Sequence, residues 1–141
     1  HAETSANDRD ELRVGDRFEF SKTITEPDVR RFAVASGDTN PLHLDEEYAA
    51  QTRFEGRIVH GTLVGGLISA ALARIPGLVI YLSQEFEFHN PVRIDDRVTA
   101  ECEIVEALGN DQYRLRTQVL DDDKTVVDGE AVILVEDEPT A

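Results

Sequence analysis

The sequence contains no tryptophan, no methionine, one cysteine and, in 141 residues, only two lysines, Lys22 and Lys124. Each shortage excludes something. A lone Cys102 forbids an intramolecular disulfide and a cysteine-rich metal site. It falls on the apolar phase of a strand pattern, where a small buried hydrophobe is expected. The longest apolar run is about 15 residues and rich in glycine, which is short for a membrane span. The opening residues are polar and show no secretory leader pattern, so cytoplasmic residence is the expectation. Positive charge is scarce as well: 14 Lys+Arg stand against 29 Asp+Glu, a net charge of −15. Such a surface repels nucleic acid and anionic lipid, and neither is expected as a partner. The acids are spread along the chain and form no acidic tail. Acidic, lysine-poor composition resembles that of proteins from salt-loving, halophilic organisms.

What is present reads as one domain, long enough to bury about two-thirds of its unfolded surface. Residues 1–11 are polar and aperiodic and are expected to be a flexible terminus. Residues 12–137 form the domain, and residues 138–141 a short tail. Phe18 and Phe20 alternate with polar residues as a first strand. Thr25-Glu26-Pro27-Asp28 is a helix start, with a capping threonine and acids against the dipole. Val29, Phe32 and Ala33 give that helix its apolar face. A second short helix follows Asp45. The longest helical pattern runs from roughly Ile58 to Ile75. It is apolar almost all round, so a buried helix is expected, and its glycines suit close approach of a surrounding sheet. The remainder alternates as strands: Leu78–Ser83 and Gln84–His89, as one strand or two; Val98, Ala100, Cys102 and Ile104; and Tyr113, Leu115, Thr117 and Val119. A turn at Asp121-Asp122-Asp123-Lys124 leads into a last strand, Thr125–Val135. Helical segments followed by a run of strands indicate an α+β class with an antiparallel sheet.

The stretch Ser36-Gly37-Asp38-Thr39-Asn40-Pro41-Leu42-His43-Leu44-Asp45 carries the chemistry. Gly37 reads as the left-handed residue that ends a helix. Pro41 pushes Asn40 towards extended geometry, so Asp38 and His43 are expected together on an irregular loop. Catalytic groups are often carried on loops held by rigid elements. The bland reading of the same residues is a capped turn.

The segments Gly37-Asp38-Thr39-Asn40-Pro41-Leu42-His43-Leu44-Asp45 and Phe54-Glu55-Gly56-Arg57-Ile58-Val59-His60-Gly61 together resemble the signature of the MaoC-like, (R)-specific enoyl-CoA hydratases. The resemblance continues through Ser69, Ile80-Tyr81-Leu82, Phe86-Glu87-Phe88, Asn90-Pro91-Val92 and Gly129-Glu130-Ala131. It implies a hotdog fold, an antiparallel β-sheet wrapped around a long central α-helix, with short additional helices carrying the active-site loop. It also implies a homodimer that completes its substrate site across the interface. The implied activity is reversible addition of water to trans-2-enoyl-CoA, giving (R)-3-hydroxyacyl-CoA for polyhydroxyalkanoate synthesis or fatty acid metabolism. By the same resemblance Asp38 and His43 activate the water, and the Gly61 N–H faces the thioester oxygen. Ser69 matches a polar position of the substrate site, and Asn40 shapes the loop.

The resemblance implies no cofactor, the coenzyme A thioester being the substrate, and no metal, although Asp38, His43 and His60 are an arithmetically possible ligand set. His60 reads as structural. Partial burial beside an apolar acyl tunnel is expected to make Asp38 a better base. Arg57, Arg74 and Arg93 are candidates for the coenzyme A phosphates by charge alone. Two other functions share the scaffold: a hotdog acyl-CoA thioesterase, which normally lacks the Asp38/His43 loop, and a non-catalytic acyl-thioester-binding subunit, which should have lost part of the site.

Overall fold

The computed structural model describes residues 2–4 and 8–139. In chain order the elements are β1 (Ala2–Thr4), a single 3-10 turn (Arg9–Glu11), β2 (Arg17–Thr23), α1 (Glu26–Ser36), α2 (Pro41–Leu44), α3 (Glu46–Ala50), α4 (Gly61–Leu72), β3 (Leu78–Gln84), β4 (Glu87–Phe88), β5 (Arg97–Gly109), β6 (Gln112–Asp121) and β7 (Lys124–Glu136). All strands are antiparallel and join one sheet in the order β1-β2-β5-β6-β7-β3, with β4 also paired to β7. The terminus expected to lack regular structure thus contributes a short edge strand, in register with β2 from Ala2↔Phe20 to Thr4↔Phe18.

Alternation decides which face of the sheet is dry. Val98, Ala100, Cys102 and Ile104 of β5 all point inward, as do Leu115, Thr117 and Val119 of β6 and Val127, Ala131, Ile133 and Val135 of β7. Burial pushes the Cys102 thiol up to about 12, so it stays a neutral apolar group at physiological pH. Against this face lies α4, whose Val64, Gly65, Leu67, Ile68, Ala71 and Leu72 are buried. Its glycines admit neighbours: a Cβ on Gly61 would lie 2.8 Å from the Phe88 ring, and one on Gly65 2.9 Å from Phe86. Phe86 and Phe88 therefore seat the β4 segment on the helix.

α4 is shorter than the pattern suggested and is not buried all round. Its entry, Ile58–Val59, is extended: Ile58 forms a bridge with Arg93, and the Val59 N–H donates to the Val92 carbonyl at 2.8 Å. Thr62, Gly66 and Ser69 line an exposed stripe. The sheet wraps one side of the helix, and small residues on the other side read as apolar in sequence although nothing among the described residues covers them.

Candidate active site

Local chemistry places the acidic loop. α1 opens with a capping box: the Thr25 side chain accepts from the Asp28 N–H while Asp28 accepts from the Thr25 N–H. It closes at Gly37, whose φ of 81° is left-handed. The Asp38 N–H then donates to Ser36 Oγ at 3.1 Å, and Asp38 Oδ1 accepts from the Asn40 N–H at 3.3 Å. Beyond it the expected irregular loop gives way to a helical turn, α2. Pro41 occupies the first position, where its missing N–H is no loss, and Asn40 Oδ1 caps the turn by accepting the Leu42 N–H at 3.0 Å. His43 is thus held on a turn of helix and Asp38 on the irregular stretch before it.

A carbonyl oxygen can only accept, and this fixes both imidazoles. His43 Nδ1 lies 2.8 Å from the Ile58 carbonyl and must carry a proton, so that in the neutral tautomer the lone pair lies on Nε2. His60 Nε2 lies 3.0 Å from the Asp38 carbonyl and likewise donates. The His60 ring is packed between Phe32, at 4.8 Å, and His43, at 3.9 Å between centroids. Burial and the neighbouring imidazole lower its pKa, against the pull of the Asp38 carbonyl and carboxylate, so His60 stays neutral. It ties the Asp38 loop to the start of α4. Arg57 does the same for His43: its Nε donates to the His43 carbonyl at 2.7 Å, and its Nη2 pairs with Glu26 of α1 at 2.6 Å.

The structure therefore brings Asp38, His43 and His60 together, with a ligand atom of each within 4.8 Å of the others. Gly61 follows His60 directly as the first residue of α4. There the unpaired amides and positive dipole end of the helix gather. Ser69 is not brought in. Eight residues further along α4, it stands roughly 12 Å away along the axis and exposed. Asp38 is exposed as well, a correction to the burial expected of it: among the described residues no acyl tunnel wall covers the carboxylate.

Beside Gly61 opens a cleft of about 260 Å³, floored by Val59, Val64 and Val127 and walled by Phe88, Asn90 and Phe54. Sequence reasoning missed its mouth, where Arg53 lies over the Phe54 ring with Cζ 4.8 Å from the centroid. The adjacent Phe-Glu-Gly-Arg motif was the only signal. Of the arginines singled out by charge, Arg57 is consumed by Glu26 and the His43 carbonyl, and Arg74 lies over Phe20 at 5.0 Å.

The family model described as "MaoC like domain" matches residues 11–128. The chain belongs to the MaoC-like domain family. It is similar to a protein named (R)-specific enoyl-CoA hydratase from Rhodospirillum rubrum, with 40% identity over 129 residues, 89% of this chain and 90% of the relative. It is also similar to one named 3-hydroxybutyryl-CoA dehydratase from Methylorubrum extorquens, with 42% identity over 129 residues, 89% of this chain and 82% of the relative. Among solved structures, the R-hydratase PhaJ1 from Pseudomonas aeruginosa in its unliganded form superposes with a TM-score of 0.87 at 44% identity, covering 93% of this chain and 86% of that one. The MaoC-like fold of this chain is accordingly a hotdog: a curled antiparallel sheet around α4.

Proposed function

We propose that this MaoC-like protein is an (R)-specific 2-enoyl-CoA hydratase, a hydro-lyase that adds water reversibly across the trans-2 double bond of an acyl-CoA. One observation carries the reading: His43, its Nδ1 tied to the Ile58 carbonyl, and the Asp38 carboxylate have ligand atoms within 4.8 Å of each other and of His60, the residue that precedes α4. A water held between the two gives one hydrogen to Asp38 Oδ and the other to His43 Nε2. As Asp38 takes its proton, the water oxygen bonds to C3, and the C2–C3 π electrons move onto the thioester oxygen. The Gly61 N–H, with the helix dipole behind it, is placed to stabilise that oxyanion. Collapse of the enolate takes a proton onto C2 from the Asp38/His43 pair, which returns to its starting state and balances the reaction.

The test is a thioester series from C4 to C12 enoyl-CoA, followed by loss of enoyl absorbance and, in parallel, by release of free thiol. Hydration removes absorbance and releases no thiol; thiol release would mark the thioesterase, and no change at all the non-catalytic binding subunit. The same pair needs water and no metal. Activity is expected to be unchanged after dialysis against EDTA, and activity lost to EDTA and restored by zinc would overturn this.

What one chain leaves uncovered supports a homodimer. β3 is an edge strand carrying exposed Leu78, Tyr81 and Leu82, with exposed Phe88 on neighbouring β4. The Thr62-Gly66-Ser69 stripe of α4 is open too. A second copy pairing along this edge would cover both and shield Asp38, and any role of Ser69 in binding substrate requires that copy. Sedimentation at micromolar concentration should give twice the chain mass; a fully active monomer would contradict the proposal. Acyl-CoA chemistry and a reduced, buried Cys102 suit the cytoplasm.

The net charge of −15 on a lysine-poor surface supports a halophilic adaptation. Salt at 1 M shortens the Debye length to about 3 Å from about 10 Å at 0.1 M, relieving repulsion among the carboxylates and between them and coenzyme A. Melting temperature and activity should both rise between 0.1 and 3 M KCl, and flat profiles would remove the salt adaptation.

A further inference from the structure

The mouth of the Gly61 cleft carries charge that the hydration step does not use. Phe54 stands there with a guanidinium on either side. Arg53 lies over its ring, and Arg93 donates through Nη2 to its carbonyl. Both arginines are exposed, and neither forms an ion pair with a carboxylate among the described residues. Arg13, Arg74 and Arg97 likewise form none, whereas Arg9, Arg30, Arg57, Arg114 and Arg116 are each paired with an acid; of the unpaired arginines it is Arg53 that lines the cleft. Two acids lie near: Glu55, next in sequence, and Glu46, whose Oε1 approaches Gly56 from the same side as Arg93 Nη1. Neither is bonded to a guanidinium. In a chain of net charge −15, Arg53 on the lining of the cleft and Arg93 bonded to the Phe54 carbonyl beside it give a local positive site on a surface that otherwise repels anions.

We infer that Arg53 and Arg93, flanking Phe54, hold the phosphates of the substrate's coenzyme A, with the pantetheine arm in the cleft between Phe88 and Asn90 and the thioester at Gly61. The assignment rests on the hydratase reading for the identity of the thioester end. Arg53 and Phe54 line the same cleft as Ile58 and Gly61, so one ligand can reach both. Stacking on Phe54 pre-orients the Arg53 fork, and the hydrogen bond to the Phe54 carbonyl pre-orients that of Arg93. Planar guanidinium forks match phosphate oxygens in pairs. A pantetheine arm carried instead on an acidic acyl carrier protein would meet the same arginines without a nucleotide, and the test separates the two.

The experiment measures hydration of crotonyl-CoA, crotonyl-3′-dephospho-CoA, crotonyl-pantetheine and crotonyl-acyl carrier protein at 0.1 M salt by wild type, Arg53→Gln, Arg53→Lys and Arg93→Gln. Arg53→Gln is expected to raise KM for crotonyl-CoA about tenfold at unchanged kcat, the scale of one charge-assisted contact, and to leave crotonyl-pantetheine unaffected. Arg53→Lys should recover part of the loss. Arg93→Gln should act in the same direction. Equal effects on crotonyl-CoA and crotonyl-pantetheine, or none on either, would overturn the assignment. A larger rise for the carrier-protein substrate than for crotonyl-CoA would give the site to the carrier protein. If wild type hydrates none of the four, the hydratase reading fails, and calorimetric titration with free coenzyme A still decides the site: weaker binding to both Gln variants supports it, and equal or absent binding contradicts it.

Discussion

Asp38→Asn should leave the protein folded and slow hydration of crotonyl-CoA by about 10²–10⁴, the usual contribution of a general base. The amide is nearly isosteric, and its oxygen can still accept the Asn40 N–H that Asp38 Oδ1 accepts at 3.3 Å, so the turn survives. The Asp38 carbonyl, which is backbone, continues to accept from His60 at 3.0 Å. What the amide cannot do is take a proton from water. His43→Gln should fall in the same range. The double variant should be far from additive, because both side chains act on one water. A capped turn without catalysis makes a different forecast, in which stability is lost and activity tracks the folded fraction. Melting temperature and crotonyl-CoA hydration measured on the same samples separate the two. A folded Asp38→Asn protein with near wild-type kcat would remove Asp38 from the chemistry.

Gly129→Ala should be the most damaging of the glycine-to-alanine substitutions for the fold. Gly129 lies in β7 opposite Thr117, where the chain between β3 and β4 crosses it closely. A Cβ there would sit 1.8 Å from the Glu85 carbonyl oxygen, and backbone, not a flexible side chain, would have to move. The neighbouring bond from the Glu85 N–H to the Glu130 carbonyl, at 2.8 Å, would break as it did so. Overpacking of this kind costs about 3 kcal/mol, which for a domain of this size lowers Tm by about 10 °C. The damage would reach the site, because Phe86 and Phe88 on the displaced segment pack on Gly65 and Gly61 of α4. Scanning calorimetry checks the first part and crotonyl-CoA kinetics below the transition the second. A variant melting within about 2 °C of wild type would show that this crossing tolerates a side chain.

The parts legible in the sequence were those decided locally. Thr25 and Gly37 mark the ends of α1 because capping chemistry depends on neighbours in the chain. The inward phase of β5 through Val98, Ala100, Cys102 and Ile104 is legible because one face is dry along its length. Asp38 and His43 are expected together from Gly37 and Pro41 in the same stretch, and a ligand atom of each lies within 4.8 Å of the other; their joint role comes from the resemblance. Illegible features depended on partners far away in sequence. Pro41 can open a helix as readily as forbid one, and only the Asn40 cap decides that α2 forms. The Ile58–Val59 segment leaves the helical pattern because strand-like partners at Val92 and Arg93 claim its backbone. Arg57 looked free for phosphate until Glu26, 31 positions away, was seen to hold it. Arg53 drew no notice, because an exposed arginine becomes interesting only when no acid near it proves to be bonded to it.

The product of crotonyl-CoA hydration, resolved on a chiral column, tests the central claim most directly. An Asp38/His43 water delivered to a thioester held at Gly61 should give (R)-3-hydroxybutyryl-CoA with no release of free thiol. The (S) product would mean that water reaches the opposite face of the double bond, and free coenzyme A would mean that it attacks the thioester carbonyl; either would contradict the proposed site.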